Sequence, residues 1–335
     1  MPLYRLLRPL IFALDAETAH EASLDLLTSL HWLLPRRQTD NPVTVMGIEF
    51  PNPVGLAAGL DKNGEYLPGL ARLGFGFIEV GTVTPRAQPG NPKPRLFRLP
   101  EYNSIINRMG FNNDGIDHLL GNIQHHRPSN SVLGINIGKN LGTAVDNALD
   151  DYRIGLVKAY PVADYITINI SSPNTPGLRG LQSEDALEAL LKGLQETRKA
   201  LQDEHQSNRP LALKIAPDLA PEATGPICEL LVKYGIDALI ATNTTLDRSR
   251  VSDHPLASQT GGLSGAALTN LSRDVLARFA ERLKGELPII SAGGIDSPAE
   301  ARLRLDMGAS LIQIYSALIF KGPSLVQDIN KSLIH

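Results

Sequence analysis

The 335-residue chain reads as an α/β protein: a closed (β/α)8 barrel preceded by a small N-terminal helical extension. Two observations predict this fold. From residue 53 onward, eight short β-rich runs recur, each followed by a helix-like stretch: PVGLAAG (53–59), FGFIEVGT (75–82), SVLGINIG (131–138), DYITINIS (164–171), PLALKIAP (210–217), DALIATN (237–243), LPIISAGG (287–294) and SLIQIYS (310–316). The runs are nearly continuous in apolar residues rather than alternating, as expected for parallel strands covered outside by helices and inside by a packed barrel interior.

The connecting segments carry the helical period. Leu187, Leu190, Leu191, Leu194 and Leu201 mark one in 184–203, and Leu271, Val275, Leu276 and Phe279 mark another in 270–283. Eight β–α units suffice to close a barrel. A doubly wound open sheet is the rival, but it normally places G-x-G-x-x-G after its first strand, and the first run leads instead into LAAGLDKNG. The largest excursion between strands is 84–113, rich in proline and basic residues.

Residues 1–40 stand apart from the barrel portion, 41–335. They hold two helical patterns, roughly 3–13 and 16–33, broken near Asp15 and closed by Pro35. Leu3, Leu6, Leu7, Leu10, Ile11 and Leu14 share one side of the first; Leu26, Leu27, Leu30, Leu33 and Leu34 recur in the second, near Trp32. No stretch reaches the roughly 18 apolar residues of a membrane span. Such a helix pair fits the interfacial layer of a membrane, with Arg5, Arg8, Arg36 and Arg37 toward anionic head groups; it equally fits a cap over the barrel bottom or a dimer contact.

Composition narrows the function. The formal charge of −3 and a pI near 6.3 give no basic excess for tracking phosphates, so no nucleic-acid partner is expected. The lone cysteine, Cys228, cannot form an internal disulfide, and its setting in ICELLVKYG beside Ile227, Leu230 and Leu231 makes it a buried structural thiol. No cluster has metal-ligand spacing, so no metal is expected. None of the eight histidines ends a β-rich run, which argues against a histidine base.

In a (β/α)8 barrel the site forms where strands end, and here polar residues gather there. They include Asp61, Lys62, Thr82, Asn136, Lys139, Asn140, Asn169, Ser171, Ser172, Asn174, Lys214, Thr242, Asn243, Thr244 and Thr245. Amides and hydroxyls suit a planar, multiply hydrogen-bonding ligand, and lysines suit an anionic one. Any one Asn or Thr could simply cap a helix, but that accounts poorly for so many together. TGGLSG (260–265), SAGGID (291–296) and IYSALIFKGP (314–323) bring glycines to the last loops, where backbone N–H groups commonly hold a phosphate; singly, each could be a plain turn.

The motifs LAAGLDKNG, IEVGTVTPRAQPGNPKPRLFRL, INRMGFNNDG, GINIGKN, NISSPNTPGLR, LKIAPDL, ATNTTLDRS, TGGLSG, AGGIDS and QIYSALIFKGP, in this order, resemble those of bacterial quinone-dependent dihydroorotate dehydrogenases. The resemblance implies oxidation of dihydroorotate to orotate in pyrimidine biosynthesis, with one FMN per chain. By motif position it assigns FMN contacts to Ala58, Gly59, Lys62, Thr82, Asn136, Asn169, Lys214, Thr242, Gly265, Gly294, Tyr315 and Ser316. Orotate contacts fall on Lys62, Asn107, Arg108, Met109, Gly110, Phe111, Asn169, Asn174, Asn243 and Thr244. Ser172 is implied as the base, with Thr175 and Phe111 lining a proton path; strand alternation predicts that only one of Ser171 and Ser172 faces the site.

Serine at the base position implies a membrane quinone as electron acceptor, and the helical extension is similar to the membrane-contacting segment of such enzymes. The implied setting is the cytoplasmic face of the cell membrane, held peripherally, as a monomer. The alternatives from other classes are a non-redox lyase or isomerase of a phosphorylated substrate on the same glycine loops, and a catalytically silent ligand-binding protein.

Overall fold

The computed structural model describes residues 2–37 and 40–334, apart from the side chains of Pro2, Leu3 and Arg5. The roles expected of Leu3 and Arg5 therefore lie outside the described residues. The chain begins with α1 (Pro2–Ala13) and α2 (Ala16–Ser29), separated where Asp15 caps α2 by accepting the N–H groups of Glu17 and Thr18, both at 3.0 Å. A hairpin of β1 (Val43–Val45) and β2 (Ile48–Phe50) follows.

Eight strands then form a closed, wholly parallel barrel. They are β3 (Val54–Leu56), β4 (Phe77–Val83), β7 (Val132–Ile137), β8 (Tyr165–Asn169), β9 (Leu211–Ile215), β10 (Ala238–Ala241), β12 (Ile289–Ala292) and β13 (Leu311–Ile314). Seven lie inside one of the eight β-rich runs, and β4 extends one residue beyond its own, to Val83. The helices α3 (Leu67–Leu70), α4 (Ile116–His126), α5 (Ala148–Ala159), α6 (Glu184–His205), α7 (Thr224–Lys233), α8 (Thr269–Leu283), α9 (Pro298–Asp306), α10 (Ser316–Lys321) and α11 (Ser324–Leu333) follow in order between and after them. Leu187, Leu191, Leu194, Val275, Leu276 and Phe279 are all buried against the barrel, as their spacing requires.

At the lower end of the barrel, the β1–β2 hairpin closes the interior. Phe50 meets Phe77 edge to face at 5.3 Å, and Phe77 meets Tyr165 at 6.4 Å. Glycine makes room for them: a Cβ on Gly55 would lie 2.2 Å from the Phe77 ring, and one on Gly134 would lie 2.3 Å from that of Tyr165. Period-reading of the sequence does not predict this hairpin, because three-residue strands carry too little pattern.

The excursion over 84–113 is not irregular. It contains β5 (Leu96–Leu99) and β6 (Ser104–Asn107), and β6 also pairs antiparallel with β11 (Gly262–Gly265). The expectation that 260–265 is a loop is thereby corrected: most of that segment is the edge of a three-stranded sheet beside the barrel mouth. Glycine content masks the strand, since the pairing partner lies about 160 residues away in sequence and only tertiary structure supplies it.

The helical extension does not cap the barrel bottom. It docks beside the opposite, C-terminal end. Buried Glu17 pairs with Arg95, with Nη2 to Oε1 at 2.7 Å, and Arg98 donates to the carbonyl oxygens of Ile11 and Phe12 while lying 4.6 Å above the Phe12 ring. Tyr4 donates to Ile319 O, and the exposed Arg8 donates one hydrogen bond, to Phe320 O at 3.0 Å. Leu6, Leu10, Leu26, Trp32 and Leu33 remain 59–73% exposed. Among the described residues, no helix is long and apolar enough to cross a membrane. Cys228 is buried in α7, where burial pushes its thiol up to about 11.

Within the barrel, fully buried Glu79 accepts from Asn136 Nδ2 (2.7 Å), Gln313 Nε2 (2.7 Å) and the Tyr165 hydroxyl (2.9 Å). Truncating it strands three buried donors, so Glu79→Ala is expected to lower stability by about 3 kcal/mol or more, and Tyr165→Phe by about 1 kcal/mol. The midpoint of urea unfolding measures both; equal, small shifts would show that the carboxylate does not hold these donors.

Candidate active site

A deep cavity opens at the C-terminal end of the barrel, between the strand ends, the β5–β6–β11 sheet and α2. Its floor begins with Thr82 on β4. The Thr82 hydroxyl donates to Asn136 Oδ1 at 2.6 Å and accepts Asn169 Nδ2 at 2.8 Å. Because Glu79 only accepts, Asn136 must turn its NH2 inward and its oxygen toward Thr82, which fixes the next amide in turn. Asn169 Oδ1 then accepts the Ser171 hydroxyl at 3.0 Å, and Ser171 Oγ accepts Asn243 Nδ2 at 3.0 Å.

The two serines are thereby separated. Ser171 is fully buried in this network, whereas Ser172 lines the cavity, its Oγ accepting the Asn174 N–H at 3.2 Å. Several other wall hydroxyls are committed as donors or to each other, Thr82 to Asn136, Thr242 to Asn243 O at 2.9 Å, and Ser264 with Ser316 at 2.8 Å, whereas the Thr244 hydroxyl, like that of Ser172, is left to face the cavity. Ser172 donates to no protein group among the described residues. Arg179 ties the surrounding loops, donating to Ser171 O, Thr244 O and Asp218.

Two lysines face the same space. Lys214, on β9, is buried; burial lowers its pKa and the nearby Glu79 charge opposes that shift. Lys62 lies in the turn after β3, which Asp61 shapes by accepting the N–H groups of Glu65 (3.0 Å) and Tyr66 (2.9 Å). Burial, with the Arg95 charge adding to it, pushes Lys62 down to about 8, against the pull of Glu17 and Asp61. Neither ammonium donates a hydrogen bond to the described protein. Burial likewise pushes Asp61 up to about 6.

The structure brings together most of the residues singled out from sequence. Ala58, Gly59, Lys62, Thr82, Asn107, Met109, Gly110, Phe111, Asn169, Ser172, Asn174, Lys214, Thr242, Asn243, Thr244, Gly265, Gly294, Tyr315 and Ser316 all line the cavity. Phe111 sits at φ 55° after Gly110 at φ 73°, so two successive left-handed residues turn this ring into the cavity. Of the residues that the resemblance assigns to FMN, orotate or the proton path, three do not reach the wall. Asn136 is one layer below, with its amide consumed by Glu79 and Thr82. Arg108 points outward, bound to Gln259 Oε1 (2.9 Å) and Pro94 O (2.9 Å) and stacked 4.6 Å over Phe97, because its neighbours in β6 alternate faces. Thr175 is buried behind the wall.

Among the wall residues that sequence reasoning missed, two stand out for their chemistry. His20, on α2, lines the cavity although it ends no strand; burial and the Lys62 charge push it down to about 4, so the ring is neutral at neutral pH. Its reach into the site depends on where the extension docks, which helical period cannot show. Gln313 lies inside β13, and its buried Oε1 has no protein partner. A polar residue between apolar Ile312 and Ile314 inside a strand was the available signal.

A sequence model described as dihydroorotate dehydrogenase matches residues 42–335. Among curated relatives, the dihydroorotate dehydrogenase (quinone) of Nitrosomonas eutropha is 56% identical, covering 98% of this chain and 97% of that protein. The protein of the same description from Pseudomonas aeruginosa is 54% identical, covering 97% and 96%. Among solved structures, that of the Eimeria tenella enzyme in complex with ferulenol superposes with a TM-score of 0.89 at 37% identity, covering 95% of this chain and 90% of the other. Fold, cavity and these likenesses agree: the chain belongs to the dihydroorotate dehydrogenase family.

Proposed function

We propose that the chain oxidises (S)-dihydroorotate to orotate, with FMN as prosthetic group and a membrane quinone as final acceptor, in the synthesis of UMP. The family assignment removes the non-redox lyase or isomerase and the silent binding protein as readings. The observation that carries the chemical assignment is the separation of the two serines, with Ser172 facing the cavity and Ser171 held in the floor network.

The wall fits a flavin mononucleotide by its donors. Two buried ammoniums lack protein acceptors, and the N–H groups of Gly293 and Gly294 have none either, an arrangement matched to an anionic ring edge and a phosphate. Lys62, Thr82, Asn169, Lys214 and Thr242 would hold the ring system; Gly265, Gly294, Tyr315 and Ser316 would surround the phosphate. When bound, the flavin supplies the acceptor for a hydride.

The chain's own residues do the rest. Lys62 holds the substrate carboxylate, while Asn107, Asn174, Asn243 and Thr244 present amides and hydroxyls to the pyrimidine ring. Ser172 takes the proton from the ring carbon beside the carbonyl onto Oγ as its own hydroxyl proton departs along the side marked by Phe111 and Thr175. The oligomeric state proposed with this scheme is a monomer. The exposed Leu6, Leu10, Leu26, Trp32 and Leu33 of the helical extension, whose His20 reaches the cavity wall, support peripheral attachment to the cytoplasmic face of the cell membrane and access of quinone to the cavity along this extension.

Ser172→Ala is expected to slow anaerobic flavin reduction by dihydroorotate about a hundredfold or more while FMN stays bound. Near-normal stopped-flow reduction would overturn the assignment. The charged form of Lys62 binds carboxylate and is lost as pH rises through about 8, so kcat/KM for dihydroorotate falls above that pH. Lys62→Arg, whose charge persists, moves the fall to higher pH; an identical profile in both proteins argues against this role. Removal of residues 1–40 leaves reduction by dihydroorotate intact, abolishes reoxidation by quinone and ends co-sedimentation with anionic phospholipid vesicles. Unchanged quinone turnover after truncation contradicts the acceptor assignment.

A further inference from the structure

Arg304 is the largest fully buried side chain of the described protein, yet it touches neither the cavity nor any residue expected from sequence to bind a ligand except through one loop. It rises from the last turn of α9 and spends its guanidinium on the segment after β12. Nη2 lies 3.1 Å from Gly293 O, 3.0 Å from Thr269 O and 2.8 Å from Ser272 Oγ; Nη1 lies 3.2 Å from Ser291 Oγ. The Ser272 hydroxyl is itself 2.7 Å from Gly293 O, and the Thr269 hydroxyl donates to Gly294 O at 2.9 Å.

In a trans peptide the C=O and the following N–H point in opposite directions. Holding Gly293 O against Arg304 and Ser272 therefore turns the Gly294 N–H away from α8 and α9, and holding Gly294 O against Thr269 does the same for the Ile295 N–H. The side opposite those helices is the cavity, which Gly293, Gly294 and Ile295 line. Both glycines are left-handed, at φ 105° and 72°, so the loop has a conformation that external bonds must select. A Cβ on Gly294 would lie 2.4 Å from Thr269 Oγ1, which shows how closely the loop is drawn onto α8.

The charge is balanced in the same place. Glu300 accepts Arg304 Nε at 2.6 Å and pairs with Arg273, so two guanidiniums and one carboxylate leave one net positive charge beneath the loop. Glu300 is itself fixed by the Ser297 cap of α9, which accepts its N–H.

From this geometry we infer that Arg304 is a positioning residue: through the carbonyl oxygen of Gly293 it presets the 293–295 amides for the phosphate of the bound flavin. The inference rests on the FMN reading above. It makes a distinction that general support of the fold does not, because riboflavin shares every ring contact and lacks only the phosphate.

The test strips flavin from the full-length protein and measures re-binding of FMN and of riboflavin by fluorescence quenching, for the unmodified chain, Arg304→Met, Arg304→Lys and the milder Ser272→Ala. The unmodified chain binds FMN far more tightly than riboflavin. In Arg304→Met that preference shrinks by about tenfold or more, with riboflavin affinity unchanged. Ser272→Ala gives a smaller loss of the same kind, and Arg304→Lys, which keeps the charge, restores part of the preference. A preference intact in Ser272→Ala and either arginine variant overturns the proposal, as does an equal weakening of both ligands. No preference for FMN in the unmodified chain overturns the phosphate reading itself, and the inference with it. Should Arg304→Met not fold, Ser272→Ala and Arg304→Lys decide the matter by the same ratio.

Discussion

The carboxylate of Glu79, enclosed by the barrel, is the point from which the site is ordered. Taking a charge out of water costs several kcal/mol unless it is compensated, and here three donors from three other strands converge on its two oxygens. The compensation has a structural consequence. An acceptor-only group leaves the Asn136 amide one orientation, that orientation sets the Thr82 hydroxyl, and Thr82 sets Asn169. Ser171 and Asn243 complete the series at the cavity floor. A residue with no exposure to the cavity thus determines which edge of each amide the ligand meets.

The upper wall is arranged by a second buried charge in the same manner. Arg304 and its partners on α8 and α9 hold the loop after β12, as Glu79 holds the strand interiors. Between these two supports lie Lys62 and Lys214, which burial has left easier to deprotonate than exposed lysines. Ammoniums kept from protein acceptors retain their full attraction for a ligand's developing negative charge, and the low local dielectric strengthens it.

The helical extension joins the barrel by polar anchors and by apolar packing, with Leu24 buried in the barrel core, Leu27 against it and Phe12 edge to face with Phe320, while Leu6, Leu10, Leu26 and Leu33 stay exposed. Glu17 is buried against Arg95, and Arg98 reaches the carbonyl oxygens at the end of α1, so the segment is fixed at the rim by groups from β5 and the loop before it. The docking brings His20 into the cavity wall and leaves the exposed leucines and Trp32 of the extension in solvent.

The eight strands, their parallel covering and most of the cavity wall were determined by the sequence alone, because continuous apolar runs and polar strand ends are local patterns that a barrel must place at one end. Lys214 and the Ser171–Ser172 pair could be singled out that way, while the choice of Ser172 came from the resemblance. What tertiary structure decided was everything that depends on a distant partner. Gly262–Gly265 became a strand only by pairing with Ser104–Asn107, and His20 reached the site only because Glu17 found Arg95. Asn136 fell below the wall because Glu79 claimed its amide, and Arg108 turned outward toward Gln259. Periodicity gives the face a residue occupies, but not what it will meet there; hydrogen-bond partners brought together over long sequence separations settle that.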